Sequence, residues 1–348
     1  MIFKIIMAMS LWATVNSICP KDCYCSEGMV ECSLVMEFPL NLNPDTTKLK
    51  IAQMNIGAIP RNAFSYLPRL QEVEFVQGNV REIAGCAFMD MPSIDTIKFE
   101  KTNIARINSY AFFGLDNVTN IVFANSKLGY LESFAFYQLN NVVTFNVLYS
   151  AIDYLSAGSF YDVQSVSVLL FSNNNISDVI TGAFSDVTTE NFHVMTNTFW
   201  NMDCGVFNGM NQSSSVPFEF IGNTFYCNCS IEWLLNDEGK SQYGKFMGNN
   251  KCHGPSSLKT KVSLKDVAFN ELGCKRRTAD QTLECSMETL VPKPRCKDLP
   301  GHGGPSGSDS GSDQATGSDP SNEAPSIKNS HGTIMLATLT LVLYNLRS

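Results

Sequence analysis

The stretch Ile121-Val-Phe123-Ala-Asn-Ser126-Lys-Leu128-Gly-Tyr-Leu131-Glu-Ser-Phe-Ala135-Phe136 decides how the chain is read, because its pattern recurs on both sides. Phenylalanine stands at Phe64, Phe88, Phe112, Phe136, Phe160, Phe184 and Phe207, at intervals of 24 residues with a last interval of 23. Upstream of each lies an apolar pair spaced by two, from Leu49/Ile51 through Ile97/Phe99 and Ile121/Phe123 to Phe192/Val194, with Phe218/Phe220 closing the series. Spacing by two marks a short strand with one buried face. One such copy cannot bury its own apolar residues, whereas stacked copies can.

Composition narrows the reading further. The chain has 348 residues, 33 acidic against 25 basic, for a net charge of −8. That balance argues against binding nucleic acid through bulk positive charge. Hydrophobic residues make up 44%, enough for a sizeable core, and no apolar run reaches the roughly 18–20 residues of a membrane-spanning helix. Lys4 and the apolar run from Ile5 to Val15, with small Ser17 before Ile18, read as a signal peptide over residues 1–17. Residues 300–330 are dominated by Gly, Ser, Asp and Pro, a stalk composition unable to offset chain entropy by burial. The apolar tail at 331–348 follows a polar spacer and small residues, the signal for a glycosylphosphatidylinositol anchor, with Asn322 as the expected attachment residue. A short single-pass helix is the competing reading of that tail.

At the ends of the repeat array stand two cysteine clusters, Cys19-Pro20-x-x-Cys23-x-Cys25-x6-Cys32 and Cys227-x-Cys229 with Trp233, Cys252 and Cys274. Each set of four allows three disulfide connectivities. Period, spacing and flanking clusters together resemble the extracellular leucine-rich repeat family over residues 19–274. That resemblance implies a solenoid of α/β class, a horseshoe with short parallel strands on the concave face and irregular turns or short helices on the convex face. It implies an N-terminal cap at 18–45, repeats at 46–222 and a C-terminal cap at 223–274. It further implies the pairs Cys19–Cys25, Cys23–Cys32, Cys227–Cys252 and Cys229–Cys274. In the remaining segment, 275–299, Cys285 and Cys296 are expected to close a small extra loop. Cys86 and Cys204 lie five coils apart, roughly 24 Å at the strand spacing. A disulfide cannot cross that gap, so they are expected to be buried free thiols, with an intermolecular link as the alternative.

In the resembled family an asparagine satisfies backbone groups where each coil leaves its strand. Asn174, Asn197 and Asn223 keep it, Thr102, Ser126 and Ser150 offer a hydroxyl, and Met54 and Gly78 offer neither, so a tighter ladder is expected in the C-terminal half. The sequons at Asn117, Asn175 and Asn211 are expected glycan acceptors, and Asn228, between two cap cysteines, is a doubtful one. No catalytic motif surrounds His193 or His253, so neither an enzyme, a metal site nor a cofactor is expected.

Outward strand positions change from charged in the early coils to apolar in the middle ones. Val122, Leu148, Tyr149, Val168 and Leu170 are the expected ligand-binding residues of the concave face, with Tyr149 as anchor. The expected function is a cell-surface recognition or adhesion receptor for an extracellular protein ligand, held to the membrane by a lipid anchor and signalling through a transmembrane co-receptor. Innate immune recognition of a microbial glycan or lipid, and a structural role in extracellular matrix, are the alternatives.

Overall fold

A 24-residue period with inward residues at fixed places puts chemically equivalent side chains over one another, and a parallel ladder between equivalent segments is the direct result. In the computed structural model, which describes residues 19–207, 209–210, 218–236, 247–254, 262–272, 274, 285, 290–293 and 296, about eight turns stack this way. The expected signal peptide, Asn211, the stalk, Asn322 and the apolar tail lie outside the described residues.

Three parallel ladders join the coils, two of them along the length of the array. The first joins Val30, Leu49, Val73, Ile97, Ile121, Phe145 and Leu169 in unbroken register and continues through Phe192 to Phe218. The second joins Ile56, Val80, Ile104, Leu128, Ile152, Ile176, Phe199 and Phe225. The third is shorter and joins Phe112, Phe136, Phe160 and Phe184. Thus the side of the coil for which the resemblance implies irregular turns or short helices carries strands as well. The described helices, among them the four-residue Glu232–Leu235, belong to the C-terminal cap.

Between the ladders lies one core of two interleaved aromatic columns. Phe64, Phe88, Phe112, Phe136, Phe160, Phe184 and Phe207 follow one another with ring centroids 4.8, 4.5, 4.8, 4.7, 5.1 and 5.9 Å apart. Phe75, Phe99 and Phe123, on the first ladder, stack at 4.6 and 5.0 Å and meet the first column edge-on. Offset stacks and edge contacts are the arrangements that the ring quadrupole favours.

Where the chain turns off the first ladder, Gln53, Gln77, Lys101, Asn125, Tyr149, Asn173 and Thr196 all have positive φ. The left-handed turn aims each N–H along the array, as in Asn125 to Leu148 O at 2.9 Å and Tyr149 to Ser172 O at 3.0 Å. The next corner position bonds through side chains. The N–H groups of Ser150, Asn174 and Asn197 donate to Oδ1 of Asn174, Asn197 and Asn223 at 2.8, 2.9 and 2.9 Å. Each of these amides also donates from Nδ2 to a buried carbonyl, of Val147, Phe171 and Val194 respectively. Ser126 and Ser150 accept one such bond each at 3.1 Å and donate to carbonyls of their own coils. Asn250, from the C-terminal cap, prolongs the ladder by accepting from Asn223 N at 2.9 Å. At the polar-free end, Gly78 is required: a Cβ there would lie 2.1 Å from the Met54 carbonyl oxygen. There the two sides are one continuous strand, as in Lys48–Ile59 and Glu72–Ile83.

All twelve cysteines form disulfides. Cys19 pairs with Cys25, Cys23 with Cys32, Cys227 with Cys252 and Cys229 with Cys274. The expectation for the other four is corrected: Cys285 and Cys296 do not pair with each other, and Cys86 and Cys204 are not free thiols. Cys296 is bonded to Cys86 and Cys285 to Cys204. Adjacency in sequence misleads here because Cys285 and Cys296 are bonded to coils five apart, with Leu290 against Gly158 and Lys293 against Tyr110 marking a strap between them. Eleven residues reach at most about 36–40 Å, ample for the roughly 24 Å between the two anchor coils.

A second apolar cluster explains why the strap lies there. A further left-handed corner, with Cys86, Tyr110 and Phe134 at φ near 60° and then Gly158, Gly182 and Gly205, turns large side chains outside the core. Cys86, Met89, Phe113, Phe134, Tyr137 and Cys296 are buried together, with Tyr110, Tyr161 and Leu290 packed against them. Gly158 leaves the space that Leu290 fills, since a Cβ there would stand 2.5 Å from Leu290 Cδ1. Lys293 N–H donates to the Tyr110 hydroxyl at 2.7 Å.

Candidate functional site

The outward face of the first ladder falls into three zones. In the first coils, Glu31, Lys50, Glu74 and Lys98 occupy successive places in one column and alternate in sign. Lys50 lies 3.5 Å from Glu31, and Lys98 lies 3.5 Å from Glu74 and 2.9 Å from Glu100. Lys98 holds the Glu100 carboxyl below its usual range by hydrogen bond and charge. These charges neutralise one another, so the zone offers no strong field to a ligand. At the far end, His193 Nδ1 meets Glu219 Oε2 at 3.0 Å.

Between them stand the five expected ligand-binding residues. Val122, Leu148, Val168 and Leu170 are half-buried, and Tyr149 is 63% exposed. The four aliphatic ones sit on three adjacent strands, Asn120–Ala124, Thr144–Leu148 and the end of Phe160–Ser172, and Tyr149 follows the second of them. Register separates some of them: Asn146 is paired with both Val122 and Leu170, and Thr144 with Val168. The face is therefore a mosaic in which apolar side chains alternate with an amide and hydroxyls. Tyr149 rises at its edge, at a left-handed corner where the neighbouring coils have Asn125 and Asn173.

The second ladder carries aromatics that periodicity alone did not single out. Arg106 lies over the Tyr130 ring at 5.1 Å, and Tyr130 stacks on Tyr154 at 4.7 Å. Burial raises the Tyr154 hydroxyl above its ordinary range, helped by Tyr130. Burial likewise raises the Asp203 carboxyl, against a hydrogen bond from the Thr181 backbone, with Asp178 adding to the rise. Trp200, 42% exposed, stacks on Tyr226 at 5.4 Å and donates from Nε1 to Asn175 Oδ1 at 2.7 Å. Asn117 and Asn175 are exposed. Asn228 is engaged: Oδ1 caps Ser230 at 2.8 Å and Nδ2 donates to Asn201 at 2.9 Å. Trp233 is buried in the C-terminal cap, its Nε1 on the Met202 carbonyl at 3.0 Å, a structural role.

Residues 42–161 match, in six copies, a family model described as BspA type leucine-rich repeat region. Over 80 residues the chain is 36% identical to leucine-rich repeat-containing protein 3 of Danio rerio, covering 21% of this chain and 30% of that relative. The chain thus spans under a third of the length of that relative. Human 5T4 (Wnt-activated inhibitory factor 1, trophoblast glycoprotein) is a similar solved structure, with TM-score 0.42, 18% identity, 74% of this chain covered and 100% of that one. The octameric complex of latrophilin 3, Unc5D and FLRT2 gives TM-score 0.34 and 14% identity, at 74% and 100% coverage. The fold is a leucine-rich repeat solenoid with disulfides near its termini. Disulfides at both ends and along the flank fit an oxidising, extracellular setting.

Proposed function

We propose that this chain is a cell-surface recognition protein that binds an extracellular protein ligand through the outward face of its first ladder. The observation that carries the reading is Tyr149, a large amphipathic ring left 63% exposed beside half-buried Leu148 and Leu170. Aromatic anchors amid a polar-apolar mosaic are the composition of protein contact surfaces. The neutralised charge column on one side and the His193–Glu219 pair on the other bound that zone without competing for it. Attachment through a glycosylphosphatidylinositol anchor at Asn322, with signalling through a transmembrane co-receptor, belongs to the same reading, as do glycans at Asn117, Asn175 and Asn211.

A cell-surface interaction screen with the secreted ectodomain, followed by Tyr149→Ala and Leu148→Asp, tests the docking face. Loss of binding by tenfold or more in both is expected, from ~1.4 kcal/mol or more per anchor; unchanged affinity in both removes the proposal. Release of the protein from cells by a phosphatidylinositol-specific phospholipase tests the anchor separately.

A further inference from the structure

Asn175 opens the sequon Asn175-Ile-Ser177 on the second ladder, and its carboxamide is already held by a neighbouring coil. An indole N–H can only donate, so the atom that Trp200 Nε1 meets at 2.7 Å is the carbonyl oxygen Oδ1. This fixes which way the amide faces. Nδ2, the atom an asparagine-linked sugar modifies, is left with no hydrogen bond among the described residues. Glycosylation converts that NH₂ to a secondary amide and leaves Oδ1 free to accept, so the Trp200 bond survives it.

The surroundings of Trp200 are asymmetric. On the side of the following coil its ring rests on Tyr226. On the side of the preceding coil, Asn175 pairs with Thr198 and Asp178 with Asn201, which puts small Ser177 beside Trp200. The equivalent places in the two coils before are Asp153 and Gly129. A bulky backing on one side and small Ser177 on the other leave the half-exposed indole open beside the carboxamide it holds.

We propose that Asn175 is a glycosylation site whose first sugar packs against the open face of Trp200, so that the indole both orients the glycan and is covered by it. The ligand class is an N-acetylhexosamine: its ring C–H groups present a weakly positive, apolar face to the negative face of the indole. Asn117 has no such partner among the described residues, and Asn228 spends its Nδ2 on Asn201. A sugar seated on Trp200 screens that end of the second ladder and leaves the first ladder open. The proposal rests on the secreted reading and not on the docking face.

The test uses the full chain secreted from eukaryotic cells. Glycopeptide mass spectrometry measures occupancy, and native release by a peptide:N-glycosidase compares Asn175 with Asn117 in the same molecule. Release at Asn175 is expected to be about fivefold slower than at Asn117 in the native protein and equal to it after denaturation. Trp200→Ala should abolish the difference, and Trp200→Phe, which keeps a ring but loses the N–H, should reduce it. In unmodified protein, ring-current shifts of the first sugar's protons provide a readout that needs no variant. A bare Asn175 alongside a glycosylated Asn117, equal native release, or absent ring-current shifts would each overturn the proposal. Both asparagines bare would instead defeat the secreted reading.

Discussion

Asn197 accepts the backbone N–H of Asn174 at 2.9 Å through Oδ1 and binds the Phe171 carbonyl at 2.9 Å through Nδ2, so one amide closes two gaps between coils. All three groups are buried, where an unmade hydrogen bond costs about 1–3 kcal/mol per group. Asn197→Ala should therefore cost about 2–4 kcal/mol. Ser126→Ala removes a weaker acceptor and should cost roughly half as much. Denaturant unfolding of both variants checks the order; an equal cost would defeat the ladder account.

The aromatic column predicts a position-dependent penalty. Phe136 stacks at 4.8 and 4.7 Å on its neighbours and meets Phe145 edge-on, whereas Phe207, at the end of the column, is only partly buried. Phe136→Ala should destabilise by about 3–5 kcal/mol and Phe207→Ala by distinctly less. Melting temperatures of the two variants measure the contrast.

The strap makes a covalent prediction. Peptide mapping without reduction should yield Cys86 linked to Cys296 and Cys204 linked to Cys285, and a peptide joining Cys285 to Cys296 would refute it. The double variant Cys86→Ser/Cys296→Ser should lose about 2–4 kcal/mol. It should also speed hydrogen exchange at Lys293 N–H, whose bond to Tyr110 the strap holds in place.

Tyr149 separates stability from recognition. A bulky side chain at φ of 50° carries a strain of roughly 1–2 kcal/mol that glycine escapes. Tyr149→Gly should leave unfolding stability equal or slightly higher while ligand binding falls, and a clear loss of stability would show that the ring packs structurally.

Asp203 gives a pH signature. Folding raises its pKa, chiefly by burial. A carboxyl raised on folding favours the native state below its unfolded pKa, and that advantage disappears as pH climbs through the raised value. Asp203→Asn should thus leave acid stability nearly unchanged and increase stability at neutral pH, where the native protein holds a poorly solvated charge. Thermal unfolding on either side of the carboxylate range checks the sign.

Much of this architecture is legible in the sequence because it is periodic. Phe64 to Phe207 and the apolar pairs before them repeat the same contact in each coil, so register follows from counting. What escapes counting is aperiodic. Asn250 completes the polar ladder from a cap, 27 positions after Asn223 rather than 24. Tyr137 and Leu139 form a strand only because equivalent coils lie on both sides. Cys296 finds its partner 210 positions back, a distance at which spacing carries no information. On the first ladder, counting outward positions also puts Asn146 between Val122 and Leu170, and the register agrees.

The bonds of Cys296 to Cys86 and of Cys285 to Cys204 also make a closed covalent circuit with the coils between them. Eleven residues set an upper limit of about 36–40 Å on how far the second and seventh coils can part. The turns enclosed by that circuit cannot be drawn out into an extended ribbon while both links hold.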